Sequence, residues 1–375
     1  MKLLISLSYY SPYISGLTLS IKRLAELLLA SGYKVTILTS RYDKKLPRRE
    51  DINQVSIVRV PYLLRISKGF VMPRFIDIAY RELHNTDCVL IVLPQVEGWI
   101  LAFLAKMLGR KVICIYICEV TLSGGIGAKL IESVLRLCNR MALSFADEVT
   151  TLSDDFAKHN ALLKELPVYG IYPVVIPPVI TTDEKNKLLK RLPQKKYYIG
   201  FLGRIAHEKG ISYLLETVPL LQKSLGDDFV IVLAGPKKTV GEEKYRREIE
   251  DLLQKYPEFV IQLGEFSDEQ LGAFYSLLDV FVLPSINNTE AFGMVQVEAM
   301  YCGTPVVATN LPGVRVPIKE TGMGEIVPIR DSKALADAIG TVLHNKKKYV
   351  QSKEKIHTIF SEEKIVNEYK EFLRV

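Results

Sequence analysis

The chain has 375 residues, of which 48% are hydrophobic and 24% charged, and its formal net charge is +7. This balance is typical of a folded globular protein and excludes an intrinsically disordered or collagen-like chain. The length predicts two domains of ordinary size, and no uninterrupted apolar stretch reaches the length of a bilayer span, which excludes an integral membrane protein.

Strand and helix patterns alternate through the first 176 residues. The opening run "KLLISLS" is predicted to be a buried strand rather than a signal peptide, because no small-residue cleavage site follows it. A helical pattern, "TLSIKRLAELLLASG", and a second strand pattern, "KVTILTS", come next, and the alternation continues through "CVLIVLP", "WILAFLAKMLG", "KVICIYI" and "EVTTLS". This βαβ repetition predicts a Rossmann-like domain over residues 1–176, with helices on both faces of a parallel sheet.

The positive charge is concentrated between Arg41 and Arg81, where ten basic residues stand against four acidic ones. Bulky apolar and aromatic residues alternate with cations within it, in "YLLRISKGFVMPRF". Such a mixture favours a surface that contacts anionic lipid headgroups, and an ordinary solvated basic face is the alternative. No recognition motif for nucleic acid accompanies the charge, so nucleic acid is not an expected partner.

The five cysteines are scattered and show no zinc-ligand spacing. We interpret them as small buried hydrophobic residues in a reducing compartment. Cys114 and Cys118 would share one face of a strand, which leaves a metal-binding pair as the alternative. We expect no metal site, and a cytoplasmic protein that is either free or peripheral at the cytoplasmic face of the membrane.

The alternation breaks at residues 177–196, where a proline pair precedes a lysine-rich stretch, and we predict a linker there. It resumes over residues 197–355 through "YYIGFLG", "FVIVLAG", "VIQLG", "VFVLPS", "PVVAT" and "GEIVP", which predicts a second doubly wound domain. A helical pattern in residues 356–375 has no strand after it and is expected to pack back toward the first domain. Neither half carries the Gly-x-Gly-x-x-Gly fingerprint of dinucleotide folds after its first strand.

Two cations follow the first strand of the second domain. In "IGFLGRIAHEKG", Arg204 and Lys209 stand where the next helix begins. Fixed charge and free backbone N–H groups converge at such a position, which suits a diphosphate. A pair of solvated surface cations is the alternative.

Two glutamates follow the later strand "DVFVLPS". Glu290 lies in the loop after this strand, and Glu298 lies eight residues further on, in a helix whose other residues are mostly apolar. Such a helix leaves little room for a solvated stripe, so Glu298 needs a partner, and ligand hydroxyl groups are one kind that strand ends of an α/β sheet commonly supply. Together with the two cations, these carboxylates indicate a nucleotide-sugar site.

These pieces resemble the retaining GT-B glycosyltransferases of family 4, and the likeness runs through most of the chain. It is carried by "SPYISGLTLSIKRLAELLLASGYKVTILTS", "FLGRIAHEKG" and "TEAFGMVQVEAMYCGTPVVAT", in which Arg-x4-Lys is paired with Glu-x7-Glu. The resemblance implies an α/β protein of GT-B architecture, with two Rossmann-like doubly wound domains facing a central cleft. The first domain would be acceptor-side and the second would bind the nucleotide sugar.

The resemblance also implies retaining sugar transfer from a UDP- or GDP-sugar to a lipid-linked or glycan acceptor, without a metal or cofactor. Arg204, Lys209 and Glu290 would be the catalytic residues, with the cations on the leaving diphosphate and the carboxylate on sugar hydroxyls. Glu298 would accept hydrogen bonds from the ribose. The remaining residues expected at the donor are Gly16, Leu17, Gly203, Leu263, Gly264, Ala291, Phe292, Gly293 and Met294.

One position departs from the family pattern. Many members carry a histidine after the strand that corresponds to "KVICIYI", whereas this chain has Ile117 and Cys118 there, followed by Glu119. Cys118 and Glu119 are therefore the acceptor-side candidates. The departure leaves open a catalytically impaired, nucleotide-sugar-binding subunit that supports a partner glycosyltransferase. Front-face attack tolerates the loss of the histidine, and a double displacement at Glu119 or Glu290 is the alternative mechanism.

Overall fold

The structure is a computed structural model that describes residues 1–66, 69–122, 125–236 and 242–374. The chain forms two compact units, the first made of Met1–Val174 and Glu362–Val375 and the second of Val175–Ser361. No helix within these described ranges is long and apolar enough to cross a membrane.

The first unit alternates strands and helices from its first residues. Its elements are β1 (Lys2–Ser6), α1 (Gly16–Ala30), β2 (Lys34–Ser40), β3 (Arg49–Ile52), β4 (Val55–Val60), β5 (Leu64–Ile66), β6 (Gly69–Val71), α2 (Phe75–Leu83), β7 (Cys88–Leu93), α3 (Gly98–Met107), β8 (Lys111–Tyr116), α4 (Ile126–Ser144), β9 (Glu148–Thr151), α5 (Asp154–His159) and β10 (Tyr169–Gly170).

Eight of these strands form one sheet in the order β10-β9-β8-β7-β1-β2-β4-β3. All neighbours are parallel except β3 and β4, which are antiparallel. Every residue of β7 is buried, as expected for a central strand whose two faces are both covered. The strands predicted from apolar runs are confirmed as β1, β2, β7, β8 and β9. Strands β3, β5, β6 and β10, which have two to four residues each, were not predicted, and neither was β4, although it is mostly apolar and buried.

Helix α1 begins at a capping box. Ser15 Oγ accepts a hydrogen bond from the Thr18 N–H at 3.2 Å, and Thr18 Oγ1 accepts one from the Ser15 N–H at 2.8 Å. Two of the N–H groups that a helix start leaves unpaired are thereby satisfied. Gly16, the first helical residue, is exposed, and a Cβ there would meet no atom within 4 Å.

Arg59 corrects the interpretation of the Arg41–Arg81 segment as one open basic surface. Its side chain lies on β4 and is 1% exposed. It donates to the Ser11 carbonyl at 2.7 Å and forms an ion pair with Glu50. Arg49 and Arg81 are also ion-paired, with Glu82 and Asp77, and Lys68 lies outside the described residues. Part of the charge in this segment therefore holds the fold together.

We predict that Arg59→Ala lowers the free energy of unfolding by about 3–5 kcal/mol, because it leaves buried carbonyl oxygens and a carboxylate without their donor. Arg49→Ala, the matched control with an exposed guanidinium, should cost about 1 kcal/mol or less. Urea titration measures both changes. An equal decrease in the free energy of unfolding in the two variants would show that the burial of Arg59 does not increase its contribution to stability.

The second unit has the same alternation. Its elements are α6 (Thr182–Leu189), β11 (Tyr197–Leu202), a 3₁₀ helix (His207–Lys209), α7 (Ile211–Leu215), α8 (Val218–Leu225), β12 (Phe229–Ala234), α9 (Glu243–Lys255), β13 (Val260–Gly264), α10 (Asp268–Leu277), β14 (Val280–Leu283), α11 (Met294–Tyr301), β15 (Val306–Thr309), α12 (Val316–Thr321), β16 (Gly324–Val327), α13 (Ser332–His344), α14 (Lys346–Tyr349) and α15 (Lys353–Phe360).

Six strands of this unit form a parallel sheet in the order β13-β12-β11-β14-β15-β16. All six were predicted from apolar runs and are confirmed. The strand order reverses at β11, so the loops after β11 and β14 leave the sheet side by side at its carboxyl edge. In open parallel sheets this is the place where ligands bind.

The borders of the units differ from the sequence boundaries. The first unit ends at Val174, and residues 177–196, expected to be a linker, belong to the second unit and contain α6. The expected C-terminal helix over residues 356–375 is divided, because α15 belongs to the second unit. The last helix, α16 (Glu362–Leu373), belongs to the first unit and packs on α1 there.

Candidate functional site

Each of three neighbouring strands in the second unit has a glycine at its carboxyl end. Gly203 and Gly235 come directly after β11 and β12, and Gly264 ends β13. The Gly203 N–H donates to the Ala234 carbonyl at 2.9 Å, and the Gly235 N–H donates to the Gly264 carbonyl at 2.7 Å. A Cβ on Gly235 would lie 2.1 Å from the Gly203 carbonyl oxygen, so this backbone approach requires glycine. The edge therefore presents backbone rather than side chains.

The loop that carries Arg204 and Lys209 is attached to the loop after β14. Its 3₁₀ helix ends at Gly210, whose φ is +63°. A Cβ on Gly210 would lie 2.1 Å from the Pro284 carbonyl oxygen, and the Ile286 N–H donates to the Glu208 carbonyl at 3.0 Å. The positions of both cations are thus set by backbone contacts with the exit of a neighbouring strand.

Both predicted cations are paired with carboxylates. Lys209 Nζ forms an ion pair with Glu290, and both side chains are mostly buried. Arg204 Nη2 lies 3.0 Å from Glu208 Oε1. The structure therefore brings together three predicted catalytic residues, Arg204, Lys209 and Glu290, and adds Glu208, which the sequence interpretation missed. The four-residue spacing from Arg204 was the available signal for Glu208.

Gly293 fixes the turn before α11. Its φ is +78°, and a Cβ there would lie 2.5 Å from Leu283 Cδ2 and 2.8 Å from Gln296 Nε2. Gln296 is fully buried and donates Nε2 to the carbonyls of Phe292 and Val314, both at 2.9 Å. A buried amide and a glycine thus hold the segment Ala291–Met294 in one conformation. Gln296 was not recognised from the sequence, because its flanking residues do not separate a structural amide from a solvated one.

Glu298 is buried on α11, as its apolar surroundings indicated. The hydroxyl group of Tyr275, on α10, donates to Glu298 Oε2 at 2.9 Å. A carboxylate accepts several hydrogen bonds, and the bond from Tyr275 is one of those that Glu298 accepts. Tyr275 was not predicted, since the pair is separated by 23 residues and joined only by the packing of α10 on α11.

Leu263 is held by a residue from the segment that was expected to be a linker. The pairing of β12 with β13 shifts register at Leu233/Ala234, where Gln262 and Gly264 are the partners and Leu263 is passed over. The Leu263 carbonyl instead accepts a hydrogen bond from Arg191 Nη2 at 3.1 Å. Arg191 thereby orients the backbone at the end of β13.

The acceptor-side candidates lie at the carboxyl edge of the first sheet. Strand β8 ends at Tyr116, so Cys118 follows the strand in a loop and does not share a strand face with Cys114. Asn160 Nδ2, which is buried, donates to Glu119 Oε1 at 2.9 Å. Among the described residues no group of three or more His, Cys, Asp or Glu side chains is arranged to hold a metal ion.

A second carboxyl group at this edge was not predicted. Glu97 precedes α3, is buried, and its burial raises the pKa of its side chain to about 7. Beside it, Gln95 Nε2 donates to Ser6 Oγ at 3.0 Å, and the Gln95 N–H donates to Asn139 Oδ1 at 3.3 Å. The ends of β1 and β7 therefore carry amides, a hydroxyl group and a carboxyl group with a raised pKa, in contrast with the two cation–carboxylate pairs of the second unit.

Comparison with known families decides between the classes of protein that could use this geometry. Residues 182–358 match the family model described as glycosyl transferases group 1, and residues 15–164 match the glycosyl transferase 4-like domain. Together the two matches cover most of both units. The chain belongs to the group 1 glycosyltransferases.

Two curated relatives illustrate the range of similarity to this glycosyltransferase. A phosphatidyl-myo-inositol mannosyltransferase of Mycobacterium leprae is 33% identical over 184 residues, which is 48% of this chain and 47% of that protein. An uncharacterized glycosyltransferase of Methanocaldococcus jannaschii is 27% identical over 91% of this chain and 88% of its own length. The chain thus spans about half the length of the first relative and most of the second.

Solved structures show the same fold. Sucrose-phosphate synthase from Thermosynechococcus elongatus has a TM-score of 0.79 and 22% identity, covering 100% of this chain and 98% of its own. Anabaena HepE in complex with UDP-glucose has a TM-score of 0.76 and 20% identity, covering 100% and 99%. The GT-B fold of this glycosyltransferase, with two Rossmann-like units, is therefore confirmed.

We predict that Glu97 makes the stability of this glycosyltransferase depend on pH. Its pKa is raised from the ordinary value of 4.5 to about 7, so the stability it contributes is fully present below about pH 4.5 and is lost as the pH rises to about 7. Glu97→Gln should therefore unfold with a free energy about 1–3 kcal/mol higher than the parent at pH 8 and near the parent at pH 4.5. Urea titrations at both pH values measure this; a constant difference between them would contradict the burial argument.

Proposed function

We propose that this chain transfers a hexosyl group from a nucleotide diphosphate sugar to a hydroxyl group of a glycan or lipid-linked acceptor, with retention of anomeric configuration. The observation that carries the proposal is the meeting of Lys209 and Glu290 at the carboxyl edge of one parallel sheet. It places a cation suited to a diphosphate beside a carboxylate suited to sugar hydroxyls, in a member of a glycosyltransferase family.

In this proposal the diphosphate binds to Arg204 and Lys209. Both cations already have a carboxylate neighbour, so the incoming phosphate oxygens compete with Glu208 and Glu290 for their N–H groups. Gly203 and Gly235 are partly buried but carry no side chain, which permits close approach of the phosphates to their backbone. The cations then stabilise the charge that develops on the leaving nucleotide.

The sugar and the ribose are assigned to the segment after β14. Glu290 accepts hydrogen bonds from sugar hydroxyls, and the backbone N–H groups of Phe292, Gly293 and Met294 serve sugar and phosphate oxygens. Glu298 accepts from the ribose hydroxyls while Tyr275 holds its other side. The rigid turn at Gly293 supports this assignment, because fixed donors lose no entropy when the donor binds.

The nucleotide base is assigned to the backbone near Leu263 and Gly264, where Arg191 orients the Leu263 carbonyl. Uracil and guanine both present groups that pair with a backbone N–H or carbonyl, so UDP- and GDP-sugars are the donor classes.

We propose a front-face reaction. The bond between the anomeric carbon and the diphosphate oxygen breaks, the acceptor oxygen bonds to the same face of that carbon, and its proton passes to the departing phosphate. Such a step needs no protein nucleophile, and the positive field comes from Arg204, Lys209 and backbone N–H groups rather than from a metal ion. A double displacement would need Glu119 or Glu290 as the nucleophile.

The acceptor is proposed to be lipid-linked, with the chain peripheral at the cytoplasmic face of the membrane. Similarity to a phosphatidyl-myo-inositol mannosyltransferase over the matched region supports a lipid-linked acceptor. Cys118 and Glu119 are the proposed acceptor-side residues, and the bond from Asn160 fixes the Glu119 carboxylate.

One observation favours a second candidate, a nucleotide-sugar-binding subunit that has lost catalysis. Ile117 stands where many family members carry a histidine, and it is buried with its N–H bonded to the Leu93 carbonyl at 2.9 Å. Donor hydrolysis by the purified chain separates the two candidates. Release of free sugar from UDP- or GDP-sugars supports the enzyme, and tight nucleotide binding without hydrolysis or transfer supports the subunit.

We predict that Glu298→Ala weakens nucleoside diphosphate binding by about 1.5–3 kcal/mol, because ribose hydroxyls lose a charged acceptor. Tyr275→Phe should cost less, about 0.5–1.5 kcal/mol, since it removes one positioning bond. Calorimetric titration with UDP and GDP measures both. Glu320→Ala, which removes an exposed glutamate from α12, is the control; an affinity for the nucleotide that is the same in all three variants would refute the ribose assignment.

We also predict that Arg204→Ala and Lys209→Ala each lower turnover at saturating donor by about 10²-fold, because leaving-group stabilisation is lost. Arg81→Ala is the matched control, since Arg81 likewise pairs with a carboxylate four residues away, Asp77, on α2 of the first unit. Initial rates with the best donor from the hydrolysis screen provide the measurement. Parental turnover in either site variant would place the diphosphate elsewhere.

A further inference from the structure

Helix α4 in the first unit turns an apolar stripe to the solvent. Ile126, Leu130, Val134 and Leu137 are 90%, 65%, 48% and 58% exposed. Their spacing of four, four and three residues places them on one side of the helix. On a surface helix of a globular domain this outward side is normally polar, so the pattern of α4 is reversed.

The opposite side of α4 holds the helix to the unit. Its buried residues, Cys138, Asn139, Ala142 and Leu143, all lie in the last two turns. Asn139 accepts from the Gln95 N–H, and Cys114 Sγ donates to the Ala142 carbonyl at 3.7 Å. None of residues 126–137, all of them described, is buried. The first three turns of α4 therefore project from the packed core with their leucines uncovered.

A row of cations runs beside the apolar stripe. Lys129, Arg136 and Arg140 share one flank of α4, seven and four residues apart, and none of them forms an ion pair with a described residue. The one acidic residue of the helix, Glu132, is turned away, because its Oε1 accepts from the Leu122 N–H at 2.6 Å. The outward side of α4 is thus apolar on its centre line and positive along one edge.

The neighbouring helix α3 also exposes apolar residues. Helix α3 packs on α4, and its Phe103 and Met107 are exposed. The Phe103 ring meets the Phe145 ring edge-on, with centroids 5.6 Å apart, just after the end of α4. We term the exposed apolar residues of α3 and α4 together the α3–α4 face.

We propose that the α3–α4 face docks on an anionic lipid surface. Apolar side chains in a stripe enter the boundary between headgroups and acyl chains, and cations along the flank of such a helix bind headgroup phosphates. A second copy of this chain fits less well, because it would bring two rows of cations with the same charge together. This surface is distinct from the Arg41–Arg81 segment, in which Arg59 is buried and Arg49 and Arg81 are paired.

The inference extends the lipid-linked acceptor of the proposed function and is tested separately from it. The parent chain is sedimented with vesicles of phosphatidylglycerol and phosphatidylcholine, and with phosphatidylcholine alone. Binding should require the anionic lipid and weaken as salt rises, since attraction to headgroups is screened within a Debye length. Leu130→Gln with Leu137→Gln should reduce binding about tenfold or more, and Lys129→Gln with Arg136→Gln and Arg140→Gln should remove the preference for phosphatidylglycerol.

Two matched variants decide where the lipid binds. Leu189→Gln with Leu220→Gln removes two exposed leucines of the second unit and should leave vesicle binding unchanged. Leu63→Gln with Leu64→Gln removes two exposed leucines within the Arg41–Arg81 segment. Binding that is lost in this pair but kept in the α4 pair overturns the proposal, as does a parent chain that fails to bind phosphatidylglycerol vesicles. Unchanged melting temperatures confirm that each variant is folded.

Donor hydrolysis without vesicles is measured on the same variants. If hydrolysis is absent while vesicle binding follows the α4 stripe, the transfer reaction fails and the docking surface stands. If hydrolysis is intact while the α4 pair binds vesicles like the parent, the docking surface fails alone.

Discussion

The ion pair between Lys209 and Glu290 joins two loops that lie 81 residues apart in the sequence. Both charges are mostly withdrawn from water, so neither can remain ionised at low cost without the other. The backbone makes the pair possible, because Gly210 lies against the Pro284 carbonyl and Ile286 bonds to Glu208. The rest of the carboxyl edge in the second unit is arranged around this junction.

The neighbouring charged groups also have polar partners, and the backbone that carries them is likewise held by close contacts. Arg204 is matched by Glu208, Glu298 is bonded by Tyr275, and Gly293 is locked between Leu283 and Gln296. An anion that enters this edge meets cations already held in place, and it must exchange with carboxylates rather than with bulk water. When an anion replaces a carboxylate at its cation, that carboxylate can accept hydrogen bonds from hydroxyl groups of the ligand. In the proposed assignment, this exchange is the reason why a nucleotide diphosphate sugar suits the site better than a simple phosphate.

The first unit has the same sheet architecture but a different chemistry. Its carboxyl edge carries a buried carboxyl with a raised pKa and neutral amides, and its cations are partly used to hold strands together, as Arg59 does. Its outer helices then expose leucine and isoleucine where solvated residues are normal. The two units thus share a fold class but differ in chemistry. The second concentrates charge at the carboxyl edge of its sheet, and the first exposes apolar side chains on its helices.

The sequence by itself determined the class of fold and identified the charged residues of the candidate site. Apolar runs located all six strands of the second sheet. The central strands are apolar because both of their faces are covered, whereas the edge strands β13 and β16 are only partly buried. The spacing of Arg204 and Lys209, and of Glu290 and Glu298, named the charged groups that now stand at one edge. Short polar strands such as β3 and β10 were missed, because edge strands lack that apolar requirement.

Only the tertiary structure decided which side chains bond to the predicted site residues. Tyr275 and Gln296 have no local pattern that separates them from solvated or core residues, and only the packing of α10 and α11 brings Tyr275 to Glu298. Arg191 reaches Leu263 because the supposed linker folds into the second unit. The basic segment from Arg41 to Arg81 looked uniform in sequence, but strand pairing buried Arg59. Periodicity alone does not say which side of α4 the unit covers, because that depends on neighbours distant in the chain.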